Sequence, residues 1–171
     1  MLLQIKGDWP PMPCNHAFPK PDAVKQILSD LLGREITITK TNAPVLDRET
    51  PAVVSDYHDD EGPAAVCITD LRLSNALGAA LTMVPASAVE AAVQKSQIDE
   101  ANLENLSEIV NVMTRLFNHD DCTHVRWRQA IAIPGEVAED VTQLMAQPLA
   151  RRDYLVEVEE YGAGTLSILV A

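Results

Sequence analysis

The sequence predicts an α+β fold, a largely antiparallel sheet packed against helices, and three observations predict it. Segments of helical period and of period two do not alternate as βαβ units would; they run helix, three strands, three helices, then strands again. A polar tract, HDDEG at 58–62, joins the second and third strand candidates as a hairpin loop. Apolar residues make up 47% of the chain and aromatics only 4%, so the core must be aliphatic.

Each element has its own justification. Residues 1–20 carry Pro10, Pro11, Pro13 and Pro19, which exclude regular helix and predict an extended arm or surface flap. From Pro21 to Leu32, Val24, Ile27, Leu28, Leu31 and Leu32 fall at helical spacing, with Asp22 near the start and Gly33 as the stop. EITITKT at 35–41 alternates as a strand does, and PAVVSDY at 51–57 and PAAVCIT at 63–69 are the hairpin pair. Asp70 is placed to cap a helix running to Val84 on Leu71, Leu73, Leu77 and Leu81, and Pro85 and Ser87 open another from Ala86 to Lys95. A further helix spans Asn102 to Asn118. HDDCT at 119–123 is then a turn, HVRWRQAIAIP at 124–134 a strand and GEVAEDVTQLMAQ at 135–147 a short helix. RRDYLVEVEEYG and GTLSILVA close the chain as two strands. No linker, low-complexity tract or clear internal repeat interrupts residues 21–171, which read as a single domain. The apolar TLSILVA reads as a sheet edge open to a second chain, and a homodimer is expected on that ground.

Composition excludes several classes of function. A formal net charge of −12 disfavours both nucleic acid and an anionic membrane surface. Cys14, Cys67 and Cys122 have no CxxC spacing and read as reduced thiols. The N-terminal apolar stretch is too short for a signal peptide, and no run of eighteen apolar residues predicts a membrane span, so the expected location is cytoplasmic.

The segment NLENLSEIVNVMTRLFN, 102–118, carries most of the functional information. Leu103, Leu106, Val110, Met113 and Phe117 form an apolar stripe, while Glu104, Glu108, Asn111 and Arg115 follow one another at steps of four, three and four as a polar one. Two glutamates one turn apart repel by roughly 0.2–0.5 kcal/mol, so helix stability alone does not account for them. Glu104-x3-Glu108-x2-Asn111 resembles the D/S-x3-E-x2-N signature of the chemotaxis phosphatases CheC, CheX and FliY, and the order of elements over residues 21–170 is similar to that of the CheX type. DLLGREITITK, a helix ending in a leucine-glycine turn before the sheet, adds to the likeness. Glu104 stands where the family has Asp or Ser, and NVMTRLFN lacks the glycine turn that commonly follows the asparagine.

The resemblance implies dephosphorylation of a response regulator such as CheY. Asn111 would position the attacking water and Glu108 would pair with the regulator's lysine, with Glu104 and Arg115 as flanking binding residues. It implies no cofactor of the chain's own, since the regulator supplies Mg²⁺, and it too implies a homodimer formed by joining sheets. The rival expectation is a non-catalytic interaction or scaffold domain, as in the flagellar switch.

Other candidates are weaker. His119, Asp120, Asp121, Cys122 and His124, and likewise His58, Asp59, Asp60 and Glu61, bunch together without the spacing of a structural zinc site, so no metal site is expected. Cys14 and His16 lack a third orienting group. Trp127 between Arg126 and Arg128 reads as a strand residue facing the opposite side from the arginines, not as a base-stacking platform. No phosphate-binding glycine loop is present.

Overall fold

The structure, a computed structural model, describes residues 18–44, 50–118 and 123–171. The elements are α1 (Pro21–Leu32), β1 (Ile36–Lys40), β2 (Ala52–His58), β3 (Pro63–Asp70), α2 (Leu71–Leu81), α3 (Ala86–Gln94), α4 (Glu100–Val112), β4 (Arg126–Ala132), α5 (Glu139–Ala146), β5 (Ala150–Val158) and β6 (Gly162–Val170). A short 3₁₀ turn, Met113–Leu116, continues α4. This is the α+β order read from the sequence. Of the proline-rich arm, Phe18–Lys20 are described, and the Arg152 guanidinium lies 4.7 Å from the centroid of the Phe18 ring.

Local chemistry accounts for the boundaries. Proline occupies the first turn of α1, where no backbone donor is needed, and Gly33 closes the helix at φ 60° with its N–H on the Ser29 carbonyl. Asp70 caps α2 through Oδ1, which accepts from the Leu73 N–H at 2.8 Å, while Oδ2 accepts from the Thr165 N–H at 2.8 Å. One carboxylate thus joins the start of α2 to β6. Gly164 makes room for it: a Cβ there would lie 2.5 Å from Asp70 Oδ1.

The six strands form one antiparallel sheet in the order β1-β5-β6-β3-β2-β4. This corrects the reading of the last strand. β6 is not an edge; it lies between β5 and β3, with Leu166, Ile168 and Val170 in the main core and Leu169 on the other face. Its apolar character comes from burial on both faces. The edges are β1 and β4, and β4 carries exposed Arg126 and Arg128, charges of the kind that discourage edge pairing. The strand argument for a homodimer therefore fails.

A second finding was hidden in the sequence. Exchanging β1 with β4, β2 with β5 and β3 with β6 turns the strand order into its own reverse, so the sheet has an internal two-fold topology centred on the β3–β6 pair. α1 leads into β1 as α4 leads towards β4. The sequence carries no clear repeat because the shared feature is connectivity.

α1 to α4 cover one face of the sheet over the larger core, and α5 covers part of the other through Val141 and Leu144 on Val54, Val66 and Ile68. Cys67 lies in the larger core, where burial pushes its thiol up to about 12 against the smaller opposing influence of the neighbouring Tyr57 hydroxyl. Among the described residues no helix is long and apolar enough to cross a membrane.

Asp70→Ala should lower stability by about 2–3 kcal/mol, the sum of a lost cap and an unsatisfied Thr165 N–H. Asp70→Asn should cost less, because its amide oxygen can still cap Leu73. Urea titration of both variants reads the difference.

Candidate functional site

α4 begins at Asp99, whose Oδ2 accepts from the Asn102 N–H at 3.3 Å. Its inner face is wider than the apolar stripe read from spacing: Leu106, Val110, Met113 and Phe117 are buried, Leu103 is partly buried, and Ile109 joins them fully buried. Glu104, Glu108 and Asn111 are exposed on the outer face. Among the described residues their side chains, and that of Arg115, have no hydrogen-bond or ion-pair partner.

One element of the polar stripe is displaced. The α-helix ends at Val112, and from Met113 the chain winds as a 3₁₀ turn. Each 3₁₀ residue advances about 120° instead of 100°, which carries Arg115 roughly 50° further round than a step of four on an α-helix. Arg115 remains exposed and lies about 20–40° round from Glu108, at the margin of the same outer face as Glu104, Glu108 and Asn111.

The stripe is held by residues that sequence reasoning passed over. Gly78 of α2 lies against the backbone of α4, so close that a Cβ there would sit 2.3 Å from the Asn102 carbonyl oxygen and 2.6 Å from its Cα. Beside this contact the buried Asn75 makes four hydrogen bonds. Its Nδ2 donates to the Leu71 carbonyl at 3.0 Å and the Gln97 carbonyl at 2.9 Å, and its Oδ1 accepts from the Asp99 N–H at 3.1 Å and Asn102 Nδ2 at 3.2 Å. That is the whole capacity of an asparagine amide. One turn further along, Asn105 Nδ2 donates to the Gly78 carbonyl at 3.0 Å and to Thr82 Oγ1 at 3.1 Å. A glycine inside a helix costs about 1 kcal/mol relative to alanine, and that cost was the available sequence signal for a close approach.

The far end of α4 is fixed from the sheet. The Tyr57 hydroxyl donates to the Val110 carbonyl at 2.8 Å, and its ring meets Phe117 at 4.8 Å between centroids. Burial, with Cys67 and Asp56 adding to it, holds the Tyr57 phenol well above its ordinary value, so it stays a neutral donor. Asn111 is therefore presented by a helix pinned at both ends.

The remaining candidates resolve into local structure where they are described. Asp59 Oδ1 accepts from the Glu61 and Gly62 N–H groups, the bonds of a hairpin turn, and His58 Nε2 lies 2.7 Å from Asp56 Oδ2. Among the described residues no group of three His, Cys, Asp or Glu converges as a metal ion requires. Trp127 packs against the larger core while Arg126 and Arg128 are exposed, as period two predicts. Cys14, His16, His119, Asp120, Asp121 and Cys122 lie outside the described residues. A cavity of about 560 Å³ between β2, β3 and α5, lined by Val54, Ile68, Ile133 and Met145, is on the sheet face opposite α4.

No protein-family model matches the chain, and no curated protein matches it. Solved structures do. The chain is similar to Thermotoga maritima FliY at 18% identity, with 86% of this chain and 82% of that one covered and a TM-score of 0.60. It is similar to a chain of the CheX-CheY-BeF₃-Mg²⁺ complex from Borrelia burgdorferi at 13% identity, covering 87% and 93%, with a TM-score of 0.52. A CheC-like superfamily protein from Shewanella sp. PV-4 matches at 13% identity over 94% and 99%, with a TM-score of 0.52. The chain has the fold of the CheC, CheX and FliY proteins, as the sequence resemblance led one to expect.

Gly78→Ala tests the helix contact. Helix propensity favours the change by about 1 kcal/mol, whereas a backbone collision costs about 3 kcal/mol or more, so the net effect should be destabilising. A melting temperature at or above that of the parent chain would refute the close α2–α4 approach.

Proposed function

We propose that this domain docks on a phosphorylated response regulator through the exposed face of α4 and hydrolyses its aspartyl phosphate. The observation that carries the reading is that Glu108 and Asn111 are exposed, one turn apart and without partners on a helix pinned at both ends. The fold shared with CheX and FliY supports it. Unpaired side chains on a rigid backbone are available to a partner at little cost in reorganisation.

In the proposed reaction a water oxygen attacks phosphorus in line and the bond from phosphorus to the aspartyl oxygen breaks, giving the free carboxylate and inorganic phosphate. The Asn111 amide accepts a hydrogen bond from that water and orients it, without having to titrate. Glu108 forms an ion pair with the regulator's lysine, and Mg²⁺ belongs to the regulator. Phosphoryl transfer responds mainly to positioning and charge placement, so two side chains suffice. Glu104 and Arg115 are flanking contacts, Arg115 from its displaced position. A chemotaxis role and a cytoplasmic location follow from this reading. The motif is complete in one chain, so a homodimer is not required for it; one formed by joining sheets would use β1 or β4.

The second reading is a docking domain without chemistry, favoured by the longer Glu104 where the resembled signature has Asp or Ser. Asn111→Ala separates the two. It should leave folding intact and slow the decay of a phosphorylated CheY-type regulator by about 10²-fold relative to the wild-type chain. Equal decay with wild type, variant and no added protein would leave only docking. Glu108→Gln should weaken binding, more at low salt than at high salt because exposed charges are screened. Glu104→Gln should weaken it less.

A further inference from the structure

β5 extends past its outer neighbour. β1 pairs with it only as far as Lys40 opposite Tyr154, with the Thr41 N–H on the Asp153 carbonyl at 2.9 Å, whereas β6 accompanies β5 to its start, Ala150 opposite Val170. Residues 150–152 therefore overhang the end of β1 and leave a notch in the edge of the sheet. The notch has a volume of about 320 Å³ and is lined by Lys40, Thr41, Arg151, Arg152 and Asp153. Three cations and one carboxylate meet there, a balance of two positive charges in a chain whose formal net charge is −12.

The carboxylate is already committed. Asp153 Oδ1 accepts from Arg151 Nε at 3.1 Å, from Arg151 Nη2 at 3.0 Å and from the Ser167 hydroxyl at 2.5 Å, and its Oδ2 accepts from Arg151 Nε at 3.3 Å. Ser167 is fully buried and the Asp153 side chain is only 10% exposed, so the sheet fixes this ion pair in place. Arg151 and Arg152 leave the strand on opposite faces, beside Leu169 and Ile168 respectively. Arg152 spreads over the Phe18 ring instead of reaching an acid. Among the described residues neither Lys40 nor Arg152 has a hydrogen-bond or ion-pair partner. The notch is rich in N–H donors and has no anionic acceptor left to give them.

Guarding a sheet edge against strand pairing calls for less. Arg126 and Arg128 serve that purpose on β4 simply by being exposed. In the notch one guanidinium is held by a buried network and a second is stacked on an aromatic ring, which removes in advance freedom that a bound anion would otherwise have to take away. Planar guanidinium forks match the oxygens of a phosphate, and a phosphate monoester carries between about −1.5 and −2 at pH 7, the charge the notch lacks. A carboxylate would leave one cation uncompensated. The volume falls at the lower end of the range of about 300–1,000 Å³ that small-molecule sites occupy, so the organic part of an ester has room as well.

We infer that this notch binds the phosphate group of a small phosphate monoester, with Lys40 and Arg152 on its oxygens, Arg151 held ready beside them by Asp153, and the Thr41 hydroxyl as a further donor. The site lies at the β1–β5 edge of the sheet, whereas α4 packs on β4 at the other edge. It is therefore independent of the docking reading above.

The test is calorimetric titration of the full chain at about pH 8 with glucose 6-phosphate, inorganic phosphate and glucose, each at matched ionic strength. Both phosphates should bind and glucose should not. Lys40→Gln and Arg152→Gln should each weaken glucose 6-phosphate about tenfold, the loss of one charged hydrogen bond, and Lys40→Gln should keep the parent melting temperature because Lys40 has no partner to lose. Raising sodium chloride from about 20 to about 200 mM should weaken binding to the wild-type chain at least about threefold, since exposed charges are screened. No binding of either phosphate, or equal binding of glucose, would overturn the site. Binding of inorganic phosphate without the sugar ester would show the notch closed to a monoester and overturn the assignment. Wild-type affinity in both variants would place the phosphate elsewhere on the chain, and an affinity indifferent to salt would rule out a site built on these charges.

Discussion

The backbone contact between Gly78 and Asn102 is the constraint on which the rest of the site depends. With no side chain between them, α2 and α4 approach more closely than ordinary helix packing allows, and the polar groups trapped there must find partners. Asn75 meets that requirement with all four of its amide bonds, and Asn105 meets it again one turn on. Because α4 is sunk this deeply, Asn102, Leu106, Ile109 and Val110 are enclosed and only a narrow outer line of the helix reaches water. That line runs through Glu100, Glu104, Glu108 and Asn111, with Ala101 exposed beside it at the first turn.

What could be read from the chain beforehand divides along physical lines. Features that depend on neighbours in sequence were legible: the helical spacing of Leu106, Val110 and Met113, the Asp70 cap, the Gly33 stop and the hairpin at Asp59. Features that depend on distant contacts were not. An apolar run such as TLSILVA is the same string of letters at an edge or in the middle of a sheet, and only the partner strands decide. The 3₁₀ turn after Val112 leaves no local mark, so the shift of Arg115 towards the margin of the stripe could not be read beforehand. Asn75, Gly78 and Tyr57 drew no notice in the sequence, and each is a tertiary contact to α4.

The two-fold topology sets α1 and α4 in equivalent places, which makes their difference informative. On α1 two of the polar side chains are engaged locally, Gln26 Nε2 donating to Asp30 Oδ1 at 2.7 Å and the Ser29 hydroxyl to the Arg34 carbonyl at 2.9 Å, while Asp22 and Lys25 are exposed. On α4 the outer side chains are left unpaired. Equivalent connectivity therefore yields one helix tied by its Ser29 hydroxyl to the turn before β1 and one whose outer Glu104, Glu108 and Asn111 side chains are unpaired.

The position of β6 governs how the domain can assemble over time. Residues 162–170 bridge β5 and β3, joining the β1–β5 pair to the β3–β2–β4 half of the sheet. Until that strand has been synthesised, β3 lacks a neighbour on one side and the pairing across residues 65–69 and 166–170 cannot close. During translation β2 and β3 can form their hairpin and α2 to α4 can collapse on it, but the sheet remains open at its centre with Ala65, Cys67 and their neighbours exposed along one strand edge. Non-local pairing of this kind is slow and leaves a sticky intermediate. The domain is therefore most vulnerable to aggregation in the interval before its last strand is released.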